Sequence, residues 1–269
     1  MKNDHKLFIF LYAFAGLLFL FTLSCKKDDS SNPADEITVT DVDGNVYKTV
    51  KIGDQTWMAE NLRTTRYNDS TLIQLSYGKS SAIYGPFVCT YRYTTNADTI
   101  KTFGRLYNWY AITANNSKLC PKGWHVPTDA EWTTLTNYLA ANGFNYDGSA
   151  TATPAPGSTP DNLIAKSLAS STGWLSSAIV GSVGNTDFSD KRNATGFTAL
   201  PGGARTSEVH FTQMGIGGFW WTYTEDKTNT NNAYGRSLIC SHYSLNSGVT
   251  SKMSGFSVRC VKGDPVIIR

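Results

Sequence analysis

Cysteine is the residue type in this chain best placed to do chemistry. There are five, at positions 25, 89, 120, 240 and 260. Cys25 closes an apolar run from Leu7 to Leu23, with Ser24 before it and Lys26-Lys27-Asp28-Asp29 after it. A basic start at Lys2 and Lys6, an apolar middle and a small residue before the cut make a signal peptide. Its thiol is then available for thioether attachment of a diacylglycerol, and the arrangement resembles a bacterial lipobox with Thr22 where Leu is usual. Residues 1–24 are read as the signal and Cys25 as the lipidation site. The remaining four cysteines are an even number in an exported chain, which points to disulfides. Three connectivities fit, and spacing does not choose among them. None sits in a CxxC pair, the spacing that structural zinc favours.

Histidines and carboxylates give less. His125, His210 and His242 remain after the signal is removed, and no HxxxH or HExxH places two on one helical face. Asp129, Asp187, Asp190, Glu225 and Asp226 offer no marked pair for acid–base work. No G-x-S-x-G elbow occurs. Gly78-Lys79-Ser80 resembles a P-loop tail but has Ile73 in place of the first Gly, so it reads as a turn. Asp41, Asp43 and Asn45 alternate as in a calcium loop, yet Ile52 stands where the closing Glu belongs, so a polar hairpin turn is expected.

Recognition chemistry is better represented. Seven tryptophans are many for this length. An aromatic face can stack on a sugar ring, although large aromatics also fill cores. Trp132 falls on an apolar helix face. Trp220 and Trp221 are adjacent, so an extended chain points them to opposite faces and leaves one for a ligand. With Tyr223, Glu225 and Asp226 they form the expected ligand surface. A net charge of +3 with scattered cations speaks against nucleic acid as a partner.

The elements that must carry these residues follow from pattern. Removing the signal leaves roughly 245 residues, the size of one large domain or two small ones. Cys25 to Glu36 is polar and reads as a tether; residues 37–269 read as one globular domain. Ile37–Thr40, Val46–Ile52 and Gln55–Met58 read as three strands separated by Asp43-Gly44 and Gly53-Asp54 turns. Thr128-Asp129-Ala130-Glu131 is a capping box ahead of a helix with Trp132, Leu135 and Leu139 on one face and Gly143 as its stop. A second helix is expected from about Thr159-Pro160 through Leu163, Ile164 and Leu168, after a surface loop over Asp147 to Pro160. Gly196–Gly203, Gly217–Tyr223 and Gly255–Val261 read as strands. Two helices among many short strands make an α+β domain.

Gln55-Thr56-Trp57-Met58-Ala59-Glu60-Asn61-Leu62, Gly104-Arg105-Leu106-Tyr107-Asn108-Trp109-Tyr110-Ala111 and Cys120-Pro121-Lys122-Gly123-Trp124-His125-Val126-Pro127-Thr128 resemble, in order, the Fibrobacter succinogenes major paralogous domain. Trp220-Trp221 and Phe256–Val261 continue the resemblance. It implies a bacterial surface or secreted protein, often a lipoprotein, without an assigned activity. The Pro127-Thr128-x-x-Glu131-Trp132 helix start and the closing Gly255-Phe256-x-x-Arg259-Cys260 segment also resemble, more distantly, the formylglycine-generating-enzyme branch of the C-type lectin-like fold. That likeness implies irregular antiparallel sheets, two main helices, long loops and joined N- and C-terminal parts. It implies a Cys120–Cys260 disulfide, which leaves Cys89–Cys240 as the second. Those enzymes hold copper with a pair of nearby thiols, and Cys240 has no neighbouring Cys here. The combined expectation is a lipoprotein of the outer membrane, exposed at the cell surface and anchored through Cys25, with a non-catalytic module for glycan or protein ligands. A structural part of the envelope or of a surface filament is the second reading, and an enzyme of the formylglycine-generating type the third. No cofactor is expected beyond a structural calcium.

Overall fold

In the computed structural model the described residues are 38–77, 85–150 and 162–263. The signal segment, Cys25, the tether, Gly78-Lys79-Ser80, most of the Asp147–Pro160 loop and the expected start of the second helix lie outside them.

The N-terminal strands form where expected: β1 (Thr38–Thr40), β2 (Val46–Ile52) and β3 (Gln55–Met58). Asp41 makes the first turn. Its carboxylate accepts from the amides of Asp43 and Asn45, both at 2.9 Å, and from the Tyr47 hydroxyl. Gly44 supplies the left-handed residue, φ +82°. The alternating acids thus serve the hairpin.

The chain continues through β4 (Gln74–Leu75), β5 (Phe87–Cys89), α1 (Ala97–Phe103), β6 (Leu106–Tyr107), α2 (Trp109–Ser117) and β7 (Trp124–His125). Neither helix is in the sequence reading. Each starts on an Asn whose side chain accepts an amide in the first turn, Asn96 from Thr99 and Asn108 from Ala111. Near its end α2 breaks, with Asn115 and Asn116 left-handed.

Helix α3 (Asp129–Ala141) has the expected capping box: Thr128 Oγ1 accepts the Glu131 amide and Glu131 accepts the Thr128 amide. Trp132, Leu135 and Leu139 are fully buried. The second expected helix is only the four-residue α4 (Ala165–Leu168); residues 162–164 are not helical. Ile164 and Leu168 reach the core without a longer helix.

The rest is mostly β: β8 (Gly202–Arg205), β9 (Phe211–Met214), β10 (Gly217–Glu225), β11 (Asn232–Ile239), β12 (Asn246–Ser251) and β13 (Val261–Lys262). Two expected strands are shorter than their apolar patterns suggest. Gly196–Pro201 is irregular, and Gly255–Ser257 makes single bridges to Arg205, Tyr107 and Trp220. Phe197 and Ala199 are buried without a ladder, whereas Leu200 and Phe256 are half-buried.

One antiparallel sheet runs β1-β2-β3-β13-β7 and joins the two ends of the described chain. A second runs β12-β11-β10-β8-β9, with β8 parallel to β10. A third holds β4, β5 and β6. This is a mixed α+β fold with few helices. Strand β10 is central in its sheet and covered on both faces. Trp220 packs on Trp132 in a core cluster that includes Trp57 and Phe197, whereas Trp221 packs on Phe256 in a second cluster that includes Tyr47, Met58, Tyr107 and Val258.

Candidate functional site

The expected ligand surface at the tryptophan pair is not at the surface. Alternation along β10 does send the two rings to opposite faces, but both faces are core and both side chains are 0% exposed. Their indole N–H groups are satisfied inside, Trp220 by Asn61 Oδ1 at 2.9 Å and Trp221 by the Tyr107 carbonyl at 2.7 Å. Tyr223 is half-buried and stacked on Trp109, with centroids 6.5 Å apart. Glu225 is exposed and paired with Lys252, whose ammonium lies over the Trp109 ring. Asp226 is buried and closes a local turn on Thr228, whose hydrogen bonds hold its carboxyl below the usual range. The pattern fixed ring direction correctly; burial came from a second layer that a local pattern does not contain.

The cysteines divide. Cys120 and Cys260 form a disulfide with Cα atoms 6.0 Å apart, tying the segment ahead of β7 to the strand beside it. Cys89 and Cys240 are free thiols, which corrects their expected pairing. Cys89 lies in β5 of the small sheet, whereas Cys240 follows β11 in another. Burial pushes the Cys89 thiol up to about 12. Among the described residues, no three His, Cys, Asp or Glu side chains group as metal ligands. His125 is instead a core residue, with Nδ1 at 2.9 Å from the Gly263 carbonyl and Nε2 at 2.8 Å from Glu131.

Polar chemistry converges elsewhere. A surface groove of about 610 Å³ runs between the β1–β2 turn and α1, lined by Asn45, Val46, Arg63, Ile100, Lys101 and Arg105 among others. It lies in the size range of ligand clefts. Gly104 positions Arg105. Its φ is +76°, and a Cβ there would stand 2.6 Å from Asn61 Cβ and 2.8 Å from the Leu62 carbonyl oxygen. This close approach lets the Arg105 amide donate to Leu62 O at 3.0 Å and its Nε to Arg63 O at 2.9 Å. Arg63 is braced: Nη2 donates to Val46 O at 2.7 Å, Nη1 lies 3.5 Å from Glu60, and the guanidinium sits 4.3 Å from the centroid of the Tyr47 ring. The terminal nitrogens of Arg105 and the exposed ammonium of Lys101 have no protein acceptor among the described residues.

A smaller recess of about 210 Å³ adjoins the groove and shares Thr95, Ile100 and Arg105 with it. Its wall includes Ser76, Cys89, Thr90 and Thr94. Ser76 is 3% exposed, and its hydroxyl has no partner. A buried hydroxyl without a hydrogen bond costs about 1–3 kcal/mol, so such a group calls for an explanation.

Residues 50–262 match the sequence model of the Fibrobacter succinogenes major domain. The chain belongs to that family. No curated protein and no solved structure matches it.

The motifs by which this major domain is recognised are largely its skeleton. Asn61 Oδ1 accepts from both Trp220 Nε1 and Arg259 Nε, at 2.9 and 3.0 Å. The Arg259 guanidinium is fully buried between the rings of Phe197 and Trp220 and donates to the carbonyls of Phe197 and Thr198. Burial pushes it down to about 9. Arg105 is the motif residue that leaves this pattern, since it stands at the groove with donors unused. Sequence reading missed the groove residues. The available signals were Arg105 inside its motif and Arg63 directly after Leu62, but α1 between them carried none.

Proposed function

We propose that this chain is an exported lipoprotein, held at the outer membrane through Cys25, whose globular part binds a glycan or protein ligand at the cell surface without catalysing a reaction. The groove of Arg63, Lys101 and Arg105 carries this reading. There, charged side chains with unengaged donors line a concave surface of ligand size. The tryptophan pair is buried and does not support the reading; the site proposed here is the groove beside α1. Cys89 lies in β5 and Cys240 in the turn after β11, and both are free, unlike the paired thiols of a formylglycine-generating oxidase, which favours binding over that chemistry. We place the domain in the C-type lectin-like class. The support is the sheet that joins β1–β3 to β13 and the Cys120–Cys260 bridge beside it.

The test is binding of the full chain, purified in detergent, to glycan and extracellular-matrix arrays, with calcium and with chelator. Reproducible binding that Lys101→Glu weakens, and Trp220→Phe does not, supports the module and its site. A blank array sinks the reading and moves weight to a structural envelope role. Labelling of cells with an alkyne fatty acid tests the anchor, since Cys25→Ala is expected to abolish incorporation.

A further inference from the structure

The groove and the recess differ in chemistry, and together they describe one kind of ligand. The groove holds three cations, Arg63, Lys101 and Arg105. No Asp or Glu is among the residues lining either cavity. The chain as a whole has 24 Lys and Arg against 21 Asp and Glu, so this local imbalance is not a reflection of composition. Glu60 neutralises part of Arg63 from outside the groove. Arg105 and Lys101 have no such counter-charge among the described residues. Like charges brought together without a counter-ion repel one another, and an anion in the groove would relieve that. The planar fork of Arg105 suits the two oxygens of a carboxylate or sulfate.

Apart from Arg105, the residues lining the recess are uncharged. Thr90 Oγ1 is committed to the Thr94 carbonyl at 2.7 Å, and Thr94 Oγ1 accepts the Asn96 amide at 3.2 Å. Ser76 Oγ alone among these recess hydroxyls is buried without a partner, against an apolar wall of Cys89 and Ile100. A buried, unsatisfied hydroxyl in a small concave site matches a ligand that brings hydroxyl groups of its own.

We propose that the two cavities form a site for an acidic polysaccharide. Arg105 and Lys101 bind a carboxylate or sulfate in the groove, and Ser76 hydrogen-bonds a hydroxyl of the neighbouring neutral part in the recess. This rests on the binding-module reading above and names its ligand class. Arg63 is a positioning residue: its carbonyl orients Arg105, and its guanidinium lies along Tyr47.

The test uses the full chain in detergent with four immobilised probes: polygalacturonate for carboxylate, dextran sulfate for sulfate, neutral dextran, and a double-stranded oligonucleotide. Retention by one or both acidic polysaccharides is expected, falling as NaCl is raised from 0.05 to 0.5 M because exposed charges are screened, with a Debye length of about 10 Å at 0.1 M. Lys101→Glu with Arg105→Gln is expected to weaken that binding at least tenfold. Lys101→Glu alone, on an exposed turn of α1, covers the case in which the double variant does not fold. Ser76→Ala is expected to lower affinity for the polysaccharide severalfold and to leave binding of inorganic sulfate unchanged. Equal retention on neutral dextran, or unchanged binding by folded Lys101→Glu, overturns the proposal while an array-positive binding module survives. Tighter binding to the oligonucleotide overturns the polysaccharide assignment. No retention on any acidic probe overturns the proposal, and a blank array in addition removes the binding reading itself.

Discussion

Two arginines of this domain occupy opposite situations. Arg259 is fully buried, and its donors end on Asn61 Oδ1 and on the carbonyls of Phe197 and Thr198. Arg105 is half-buried and uses only Nε, on the Arg63 carbonyl. A guanidinium carries five N–H donors in a rigid fork. Where the protein supplies all the acceptors, the residue is a structural tie. Where acceptors are missing, the fork faces outward and an external anion can complete it. The comparison separates the seam around β10, rich in aromatics and motif residues, from the groove beside α1. Changes in the seam should cost stability and spare binding, while changes in the groove should do the reverse.

The largest expected effect comes from the bridge that holds the seam closed. Cys120 and Cys260 are 140 residues apart in sequence. Replacing both with Ala is expected to cost roughly 4–5 kcal/mol on the chain-entropy account, read from urea unfolding. The Cys89–Cys240 pair gives the internal control. Both are free, so Cys240→Ser should leave the unfolding midpoint within error. Maleimide should label half-buried Cys240 in the native state, and buried Cys89 only after unfolding.

Arg259→Leu is next, at about 3–5 kcal/mol by the same measurement. It leaves the Phe197 and Thr198 carbonyls without their guanidinium donors and takes one of the two donors from Asn61 Oδ1, which keeps Trp220 Nε1. Arg259→Lys sharpens the comparison. One ammonium cannot reach all three acceptors along the plane that the guanidinium fills between Phe197 and Trp220, so it should recover only part of the loss. Full rescue by Lys would mean that charge alone matters there, and the contrast with Arg105 would fail.

A smaller effect tests the capping box at the edge of the seam. Burial by itself raises the Glu131 carboxyl. Hydrogen bonds from His125 and the Thr128 amide, together with the His125 charge, outweigh it and leave the carboxyl below its ordinary value. Because the folded value is depressed, the stabilisation is present above the unfolded value of about 4.3 and disappears as pH falls through the folded one. Glu131→Gln should therefore cost about 1 kcal/mol at pH 7 and progressively less on acidification below pH 4. A pH-independent difference would show that the His125–Glu131 pair contributes nothing electrostatic.

What was legible in the sequence follows the same division. The three N-terminal strands and the capping box were readable because their signals are local: alternation over a few residues, turns at Asp43-Gly44 and Gly53-Asp54, and Thr128 three residues before Glu131. The tryptophan pair was half readable. Period-two geometry placed the rings on opposite faces, but that both faces are covered depends on α3 on one side and on β2, β3 and β6 on the other. The groove was not readable. It needs Gly104 to bring Arg105 against Leu62, 43 positions earlier, and it needs α1, a seven-residue helix with no buried residue to announce it.

The smallest expected change in stability belongs to the groove, and it decides the comparison. Lys101 is exposed on α1 and has no partner among the described residues, so Lys101→Glu should move the unfolding free energy by no more than about 0.5 kcal/mol. The same substitution should weaken binding of an acidic ligand, and raised salt should narrow the gap between variant and parent. Trp221→Phe supplies the opposite case. It removes the bond to the Tyr107 carbonyl and leaves a void beside Phe256, so it should destabilise without altering ligand affinity in the fraction that remains folded. A Lys101→Glu variant that unfolds early would show that the cations brace α1 against the β1–β2 turn, and the groove would then belong to the structure in the way Arg259 does.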